Sequence, residues 1–160
     1  MKRFVVRFAL VLGLFATLVS SFYVQSISAE EFSLIRARVD FKPDTLPLLS
    51  FREWIACYIE LPLGFRPSSI DVSSIVLNRT ISAVRPVSIG DYDNDGIPDL
   101  CVTFNRAMVI RFILHNIGFT NRLVRSMTVT LTITGTIYDG TLFKGCDTIR
   151  LLLGSRPIPA

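Results

Sequence analysis

The clearest pattern along the chain is an alternation of apolar and polar side chains near its C-terminal end. Over residues 126–136 every second side chain is apolar and most of those between are threonines, which is the period of two of a strand with one buried face. Asp139 and Gly140 then form a typical hairpin turn signal, and an apolar segment returns over residues 142–153. The pattern therefore predicts a β-hairpin.

Shorter segments with strand character recur over residues 34–41, 53–61, 74–78, 80–84 and 100–104. The segment 53–61 is apolar on both faces, which predicts a central strand that buries Trp54. Only residues 105–118 show a helical period, with Asn105 as the N-cap and Gly118 as the stop. About seven strands and one short helix predict an all-β fold, an antiparallel Ig-like β-sandwich.

The first 29 residues have the pattern of a secretory signal peptide. Basic residues at positions 2, 3 and 7 precede a mostly apolar stretch, and small residues lead to Ala29. We therefore expect residues 1–29 to be cleaved off, residues 30–160 to form a single β-sandwich domain, and the protein to be secreted or held at the cell surface. An uncleaved anchor is the alternative, because the apolar stretch is near the shortest that spans a bilayer. Contact with the membrane is expected only in that case.

Removal of the signal segment leaves 14 basic and 13 acidic side chains, a net charge of +1. The remaining arginines are scattered and do not form the basic face of a nucleic-acid-binding protein, so we expect no nucleic-acid partner. Cys57, Cys101 and Cys146 fit neither a zinc motif nor a redox pair. One disulfide with one buried thiol, or three buried thiols, are both compatible with their spacing.

One acidic segment differs from the rest of the chain. Residues 91–99 read DYDNDGIPD and contain four of the nine aspartates. Carboxylates at positions 1, 3, 5 and 9, a carbonyl at position 7 and a glycine at position 6 are the pattern with which a loop binds calcium. A metal-free turn is the alternative, because Asp, Asn and Gly also form ordinary turns. The predicted calcium ligands are Asp91, Asp93, Asp95, the carbonyl of Ile97, and Asp99.

The loop departs from an EF-hand after Asp99. Its twelfth position is Val102 where an EF-hand has a bidentate Glu, and residues 100–104 have strand character where an EF-hand has a helix. We therefore expect a further ligand from water or from another carboxylate, and a dissociation constant of about 10⁻⁴ to 10⁻³ M or somewhat lower. The candidate carboxylates outside the loop are Asp40, Asp44, Asp71 and Asp147.

Two other residues carry recognisable chemistry. Asn78 begins the sequon Asn-Arg-Thr and is a candidate N-glycosylation site in an exported protein. His115 is the only histidine. Because no nucleophile or acid motif accompanies it, we expect it to have no catalytic role.

Four motifs are spread over almost the whole predicted mature chain. They are VDFKP at residues 39–43, the acidic stretch within residues 90–100, TGTIYDG at residues 134–140 and GCDTIR at residues 145–150. In this order they resemble a β-sandwich domain family of prokaryotic cell-surface and secreted proteins. The resemblance implies an extracellular module without an established catalytic role.

The sequence therefore favours an exported, non-enzymatic β-sandwich that binds calcium and has a structural or adhesive role at the cell surface. The alternative is a module that binds a polysaccharide or a cell-envelope protein, and burial of Trp54, the only tryptophan, argues against sugar binding. A glycoside hydrolase fragment is less favoured, because the chain has four dispersed glutamates and the loop takes four of its aspartates.

Overall fold

This computed structural model describes residues 34–117 and 125–153, with the side chains of residues 85 and 117 excepted. The predicted signal segment and Gly118 lie outside the described residues. Ten strands and one helix make up the described part, together with a single 3-10 turn at Pro67–Ser69. The strands are β1 (Ile35–Arg36), β2 (Arg38–Lys42), β3 (Thr45–Pro47), β4 (Trp54–Glu60), β5 (Ile70–Leu77), β6 (Ile81–Ser82), β7 (Val84–Gly90), β8 (Asp99–Asn105), β9 (Ser126–Ile137) and β10 (Leu142–Leu152), and the helix is α1 (Arg106–Ile117).

The strands form two sheets. Sheet A has the order β1-β10-β9-β5-β6, with β3 also paired to β10, and sheet B has the order β2-β4-β8-β7. Every pairing is antiparallel except those of β1 and β3 with β10. The predicted all-β sandwich is confirmed. The predicted count of seven strands was too low, because β3 and β7 were not predicted and β1 and β2 were predicted as one strand over residues 34–41.

One apolar core lies between the sheets. Phe41, Phe104 and Phe143 are its largest fully buried side chains, and the rings of Phe41 and Phe104 lie 6.2 Å apart between centroids. Val102, at the twelfth position counted from Asp91, is also fully buried in this core. Each such side chain contributes about 1.5–3 kcal/mol on burial, so the strand that follows the acidic loop, β8, is firmly held.

The chain passes from sheet A to sheet B between β1 and β2, with Ala37 as the only residue between them. Ala37 N–H donates to the carbonyl of Lys144 in β10 at 2.9 Å. A Cβ at Gly145 would collide with the Val39 side chain and the Ala37 carbonyl, so only glycine permits this close crossing. The chain returns to sheet A in β3, and the N-terminal strands thus join both sheets.

Strand β4 is central in sheet B, between β2 and β8, as the sequence predicted. Its inward side chains, Ile55, Cys57 and Ile59, are buried. The predicted burial of Trp54 was wrong, because this side chain points to the outer face and is 44% exposed. Apolar residues on both faces of the strand suggested two covered faces, but in a two-layer sandwich only the inner face packs against the other sheet.

Helix α1 joins sheet B to sheet A. Asn105 caps it as predicted, since its Oδ1 accepts a hydrogen bond from Met108 N–H at 3.1 Å. Val109 and Ile113 on its predicted apolar face are buried. No helix within residues 34–117 and 125–153 has the length and apolar character that crossing a membrane requires.

All three cysteines fall within the described residues and are free thiols. Cys57 is buried, Cys101 is half-buried and Cys146 is exposed. Neither alternative from the sequence therefore describes them, because no disulfide forms and Cys146 does not reach the core. Burial raises the pKa of the Cys57 thiol well above its ordinary value, which keeps this side chain neutral and unreactive.

Candidate functional site

The acidic loop connects β7 to β8 at one end of the strands of sheet B and reaches Arg38 in β2. Gly90 and Asp99 are the pair of β7 and β8 residues next to the loop. Gly96 has a φ of 87° and Asn94 a φ of 62°, the left-handed region that glycine adopts freely and asparagine tolerates. These two residues turn the backbone sharply, as the glycine at position 6 predicted.

Backbone amides within the loop hold its carboxylates in place. Asp91 Oδ1 accepts from Asp95 N–H at 3.1 Å, and Asp91 Oδ2 accepts from Gly96 N–H at 3.0 Å. Asp95 Oδ1 accepts from Ile97 N–H at 2.8 Å. These bonds use both oxygens of Asp91 and one oxygen of Asp95, and they fix the orientation of the second oxygen of Asp95. Ile97 itself is half-buried in the loop.

Asp99 is the buried member of the set, with 5% of its surface exposed. Its Oδ2 accepts a hydrogen bond from Tyr92 N–H at 3.1 Å. Burial raises the pKa of Asp99 above its ordinary value, and the negative charges of Asp93, Asp95 and Asp91 raise it further, against the lowering effect of the Tyr92 amide. Ionisation of Asp99 is therefore less favourable than that of an exposed aspartate, and a nearby positive charge would offset this cost.

The predicted ligands fall into two overlapping groups. Oxygens of Asp91, Asp93 and Asp99 all lie within 4.8 Å of one another, as do oxygens of Asp93, Asp95 and Glu60. Asp93 belongs to both groups. The structure thus brings three predicted carboxylates to one point and places Asp95 beside Glu60, a residue of β4 that the sequence did not indicate.

Arg38 of β2 supplies positive charge to the second group. Its Nη1 lies 2.9 Å from Asp93 Oδ2, 3.1 Å from Asp95 Oδ2 and 3.1 Å from Glu60 Oε2. The hydrogen bond to Glu60, followed by the charge of Asp93, raises the pKa of Arg38. Because the Arg38 side chain is 63% exposed, solvent screens these ion pairs strongly.

The four carboxylates proposed outside the loop belong to neither group of acids within the described residues. Asp40 and Asp44 pair with Lys42, at 3.1 Å and 2.7 Å. Asp147 accepts from Phe41 N–H at 2.8 Å. Asp71 accepts from Ser73 N–H at 2.9 Å. Asp40 and Asp147 nevertheless line the same cleft as Asp93 and Asp99. Glu60 is the carboxylate from outside the loop that lies in one of the two groups.

A cleft of about 390 Å³ adjoins the loop on the outer face of sheet B. Its walls include Asp93, Asp99 and two tyrosines, Tyr58 and Tyr92, whose ring centroids lie 4.6 Å apart. Lys42 and Tyr58 also line a second cavity, of about 620 Å³, which reaches Trp54. A third cavity, of about 240 Å³, shares Arg52 and Trp54 with the second. We call this series of three cavities the sheet B groove.

Asn78 and His115 lie away from the groove. Asn78 sits in the turn between β5 and β6 with a φ of 46°. Its Oδ1 accepts from Thr132 N–H at 2.8 Å, so the carboxamide is oriented by β9, and Nδ2 is the atom that a glycan would join. The sequon stays a predicted site. His115 is exposed in the last turn of α1.

Comparison with known proteins adds no relative to this description. No family model, no curated protein and no solved structure matches the chain. The resemblance to prokaryotic cell-surface domains therefore stays a prediction from the four motifs, and the function has to be argued from the acidic loop, Arg38 and the sheet B groove.

Proposed function

We propose that the protein is an exported, non-enzymatic β-sandwich module that binds calcium through residues 91–99. Calcium binding would fix the β7–β8 connection and one end of the sheet B groove, in a structural or adhesive role at the cell surface. The secretory pattern of residues 1–29 and the resemblance of the four motifs support the proposed location outside the cell.

The observation that carries the proposal is the convergence of Asp91, Asp93 and Asp99 within 4.8 Å. Three carboxylates at this separation repel one another, and the burial of Asp99 adds a desolvation penalty to its charge. A divalent cation would offset both terms at once. The alternative of an ordinary metal-free turn explains the backbone conformation and the amide hydrogen bonds, but among the described residues it provides no cation beside the buried carboxylate of Asp99.

The donor chemistry favours calcium among the common metals. All candidate ligands are oxygens, which hard cations prefer, whereas zinc prefers nitrogen and sulfur. The loop is exposed apart from the buried Asp99 and the half-buried Ile97, so waters can complete the six to eight ligands that calcium takes. Magnesium requires a near-ideal octahedron at short distances and is less suited to a loop of flexible carboxylates.

Arg38 would then be the counter-charge of the metal-free loop. Its guanidinium partly neutralises Asp93 and Asp95, so the loop need not unfold when no cation is bound. Because Asp93 is shared between Arg38 and the group that contains Asp99, calcium would compete with Arg38 for this carboxylate. Such competition lowers the calcium affinity, in agreement with the weak binding expected from the sequence.

Isothermal titration calorimetry of the purified protein with calcium chloride tests the proposal. We expect a single saturable site with a dissociation constant of about 10⁻⁴ to 10⁻³ M or somewhat lower, much weaker heat with magnesium, and none for Asp93→Asn. Asp44→Asn, which removes an exposed carboxylate outside the loop, is the matched control and should bind as the wild type does. Absence of a calcium heat in the wild type would refute the proposed function.

The proposed export has its own test, which is the mass of the protein recovered from its native host. We expect a chain that begins at Glu30, with additional mass on Asn78 if the host glycosylates this sequon. If the recovered chain retains residues 1–29, this segment is an uncleaved membrane anchor and not a cleaved signal peptide.

A module that binds polysaccharide is the second candidate function, and one observation favours it. The sequence argued against sugar binding because Trp54 was expected to be buried, but the structure leaves 44% of this side chain exposed in the sheet B groove. An exposed aromatic ring beside polar groups is the usual surface on which a sugar ring packs.

A further inference from the structure

The end of the sheet B groove farthest from the acidic loop has the opposite charge. A cavity of about 240 Å³ there is lined by Thr45, Ser50, Arg52, Trp54 and Arg106, with prolines and Leu46 completing its walls. No carboxylate lines this cavity. The neighbouring cavity of about 620 Å³ has Asp44 as its one lining carboxylate, and this residue is already paired with Lys42 at 2.7 Å.

Arg106 is a buried charge, with 7% of its surface exposed. Its Nη1 donates to the carbonyl of Ser50 at 3.4 Å, and its Nη2 donates to the carbonyls of Pro47 and Leu48. No carboxylate within the described residues forms an ion pair with it. A buried guanidinium that has only carbonyl partners leaves a positive charge that an anion would offset.

Arg52 and Trp54 extend this positive charge to the surface. Arg52 is exposed and forms no ion pair with a described residue. Both side chains line the 240 Å³ and the 620 Å³ cavities, so the two cavities meet at this pair. Tyr58 lies four residues farther along β4, roughly 13 Å away at about 3.3 Å per residue, on the same face as Trp54.

We propose that this end of the groove, formed by Arg52, Trp54 and Arg106, binds a uronic-acid residue of an acidic polysaccharide. The guanidinium groups would hold the sugar carboxylate, a pairing for which arginine has the best geometry. Trp54 would pack on the apolar face of the sugar ring. The rest of the chain would continue along the groove toward Tyr58. The site deepens the second candidate function and does not require calcium.

The exposed indole of Trp54 and the continuity of the two cavities favour an acidic sugar over other anions. A free phosphate or sulfate would need the arginines but not the exposed indole of Trp54. An acidic peptide would also pair with the arginines, but its flexible side chains gain little from a flat aromatic surface. A cavity that continues into a second one, with aromatic side chains in both, suits a stiff chain of rings in which only some units are charged.

Fluorescence of Trp54 gives a direct test, since it is the only tryptophan in the chain. The purified protein is titrated with tri-galacturonic acid in the presence of a chelator, so that calcium plays no part and a failure of the calcium proposal leaves the result interpretable. We expect a saturable change in emission that weakens as salt is added. Neutral galactotriose, a short polyglutamate peptide and sodium sulfate should each bind at least about tenfold more weakly.

Single-residue variants distinguish recognition of the sugar in the groove from a general attraction between the acidic sugar and the positive charges of the protein. Arg52→Ala should raise the dissociation constant for tri-galacturonic acid about tenfold or more. Trp54→Ala should raise it by a similar factor, and its binding is measured by calorimetry because this variant has no tryptophan fluorescence. Arg111→Ala removes an exposed arginine of α1 that lines none of these cavities and should bind as the wild type does. No binding of tri-galacturonic acid, equal binding of sulfate or polyglutamate, or an equal loss in Arg111→Ala would each overturn the proposal.

Discussion

Two loops of this protein contain the same Asp-Gly step and use it in the same way. In the β9–β10 hairpin, Asp139 Oδ1 accepts from Thr141 N–H at 2.8 Å and Gly140 has a φ of 90°. In the acidic loop, Asp95 Oδ1 accepts from Ile97 N–H at 2.8 Å and Gly96 has a φ of 87°. The local turn chemistry is thus the same in both places.

The two loops differ in the electrostatic surroundings of their aspartates. Asp139 is the only acid in its turn, and hydrogen bonds from the Thr141 backbone and side chain lower its pKa. In the acidic loop, burial and three neighbouring carboxylates raise the pKa of Asp99. One carboxylate is therefore enough to form the turn and is stabilised by it, whereas the additional acids of residues 91–99 oppose one another.

One aspartate and one glycine are enough for the β9–β10 turn, whereas residues 91–99 add three further aspartates. Their oxygens accept amide hydrogen bonds within the loop, but their negative charges repel one another. Natural sequences tolerate a local conflict of this kind mainly where a functional site needs it. Calcium ligation is the function that we propose for these carboxylates.

The largest effect should come from calcium itself. A ligand that binds only the folded state at a hundred times its dissociation constant adds about 2.7 kcal/mol to the free energy of unfolding, which is roughly 8 °C in melting temperature. Thermal unfolding with calcium and with chelator measures it. Asp93→Asn should lose the whole increment, whereas Asp139→Asn should keep it. An equal increment in all three proteins would place the calcium elsewhere.

The two glycines should respond alike when no calcium is present. A Cβ at Gly96 or Gly140 meets no atom within 4 Å, so the penalty of an alanine comes only from the positive φ, about 1–2 kcal/mol. We expect Gly96→Ala and Gly140→Ala to lower the free energy of unfolding by equal amounts in chelator, measured by urea titration. With calcium, Gly96→Ala should lose more free energy of unfolding than Gly140→Ala. A larger loss of stability for Gly96→Ala than for Gly140→Ala in chelator would mean that the two loops differ in backbone conformation and not only in the charges around their aspartates.

Removal of Arg38 should strengthen calcium binding. The guanidinium competes with calcium for Asp93, so Arg38→Gln should lower the calcium dissociation constant roughly two- to fivefold in low salt, and less in high salt. Calorimetry at two salt concentrations measures the change. Arg36→Gln, an exposed arginine of β1, is the matched control. A weaker affinity in Arg38→Gln would show that Arg38 supports the calcium-bound loop.

The smallest effect should be a pH dependence of the calcium-free protein. Because the pKa of Asp99 is raised on folding, the folded state binds more protons than the unfolded state above the ordinary aspartate value of about 3.9. This contribution therefore makes stability fall as the pH rises through the window between that value and the raised pKa of Asp99. The difference in stability between the wild type and Asp99→Asn, followed across that window in chelator, should show the slope. If the difference in stability between the two proteins does not change with pH, folding does not raise the pKa of Asp99.

The parts of the fold that the sequence predicted are those with a local signal. The alternation in β9 and the Asn105 cap of α1 both act within a few residues. Strand β7 was largely missed, because Pro86 interrupts it and most of its side chains are exposed or half-buried, so it lacks the alternation of a buried strand. The outward direction of Trp54 depends on which face of sheet B is covered, and that is set by residues far along the chain.

The candidate site shows the same limit. The spacing of acids and glycine in residues 91–99 was enough to predict the sharp turn at Gly96 and the convergence of Asp91, Asp93 and Asp99. Arg38 and Glu60 were not found, because they meet only through the β2–β4 register, in which they are direct partners. Arg106 likewise gains its significance from the carbonyls of residues 47–50, which no sequence spacing connects to it.

The parallel pairing of β1 and β3 with β10 has a mechanical consequence. The first and last strands of the described chain lie side by side and run in the same direction, so tension applied to the two ends pulls them along their length in opposite directions. The hydrogen bonds between β1 and β10, together with the one from Ala37 N–H to the Lys144 carbonyl at the end of β1, are then loaded together in shear. Strands sheared in this way separate only when several bonds break at once, and the fold is therefore arranged to resist stretching between its ends.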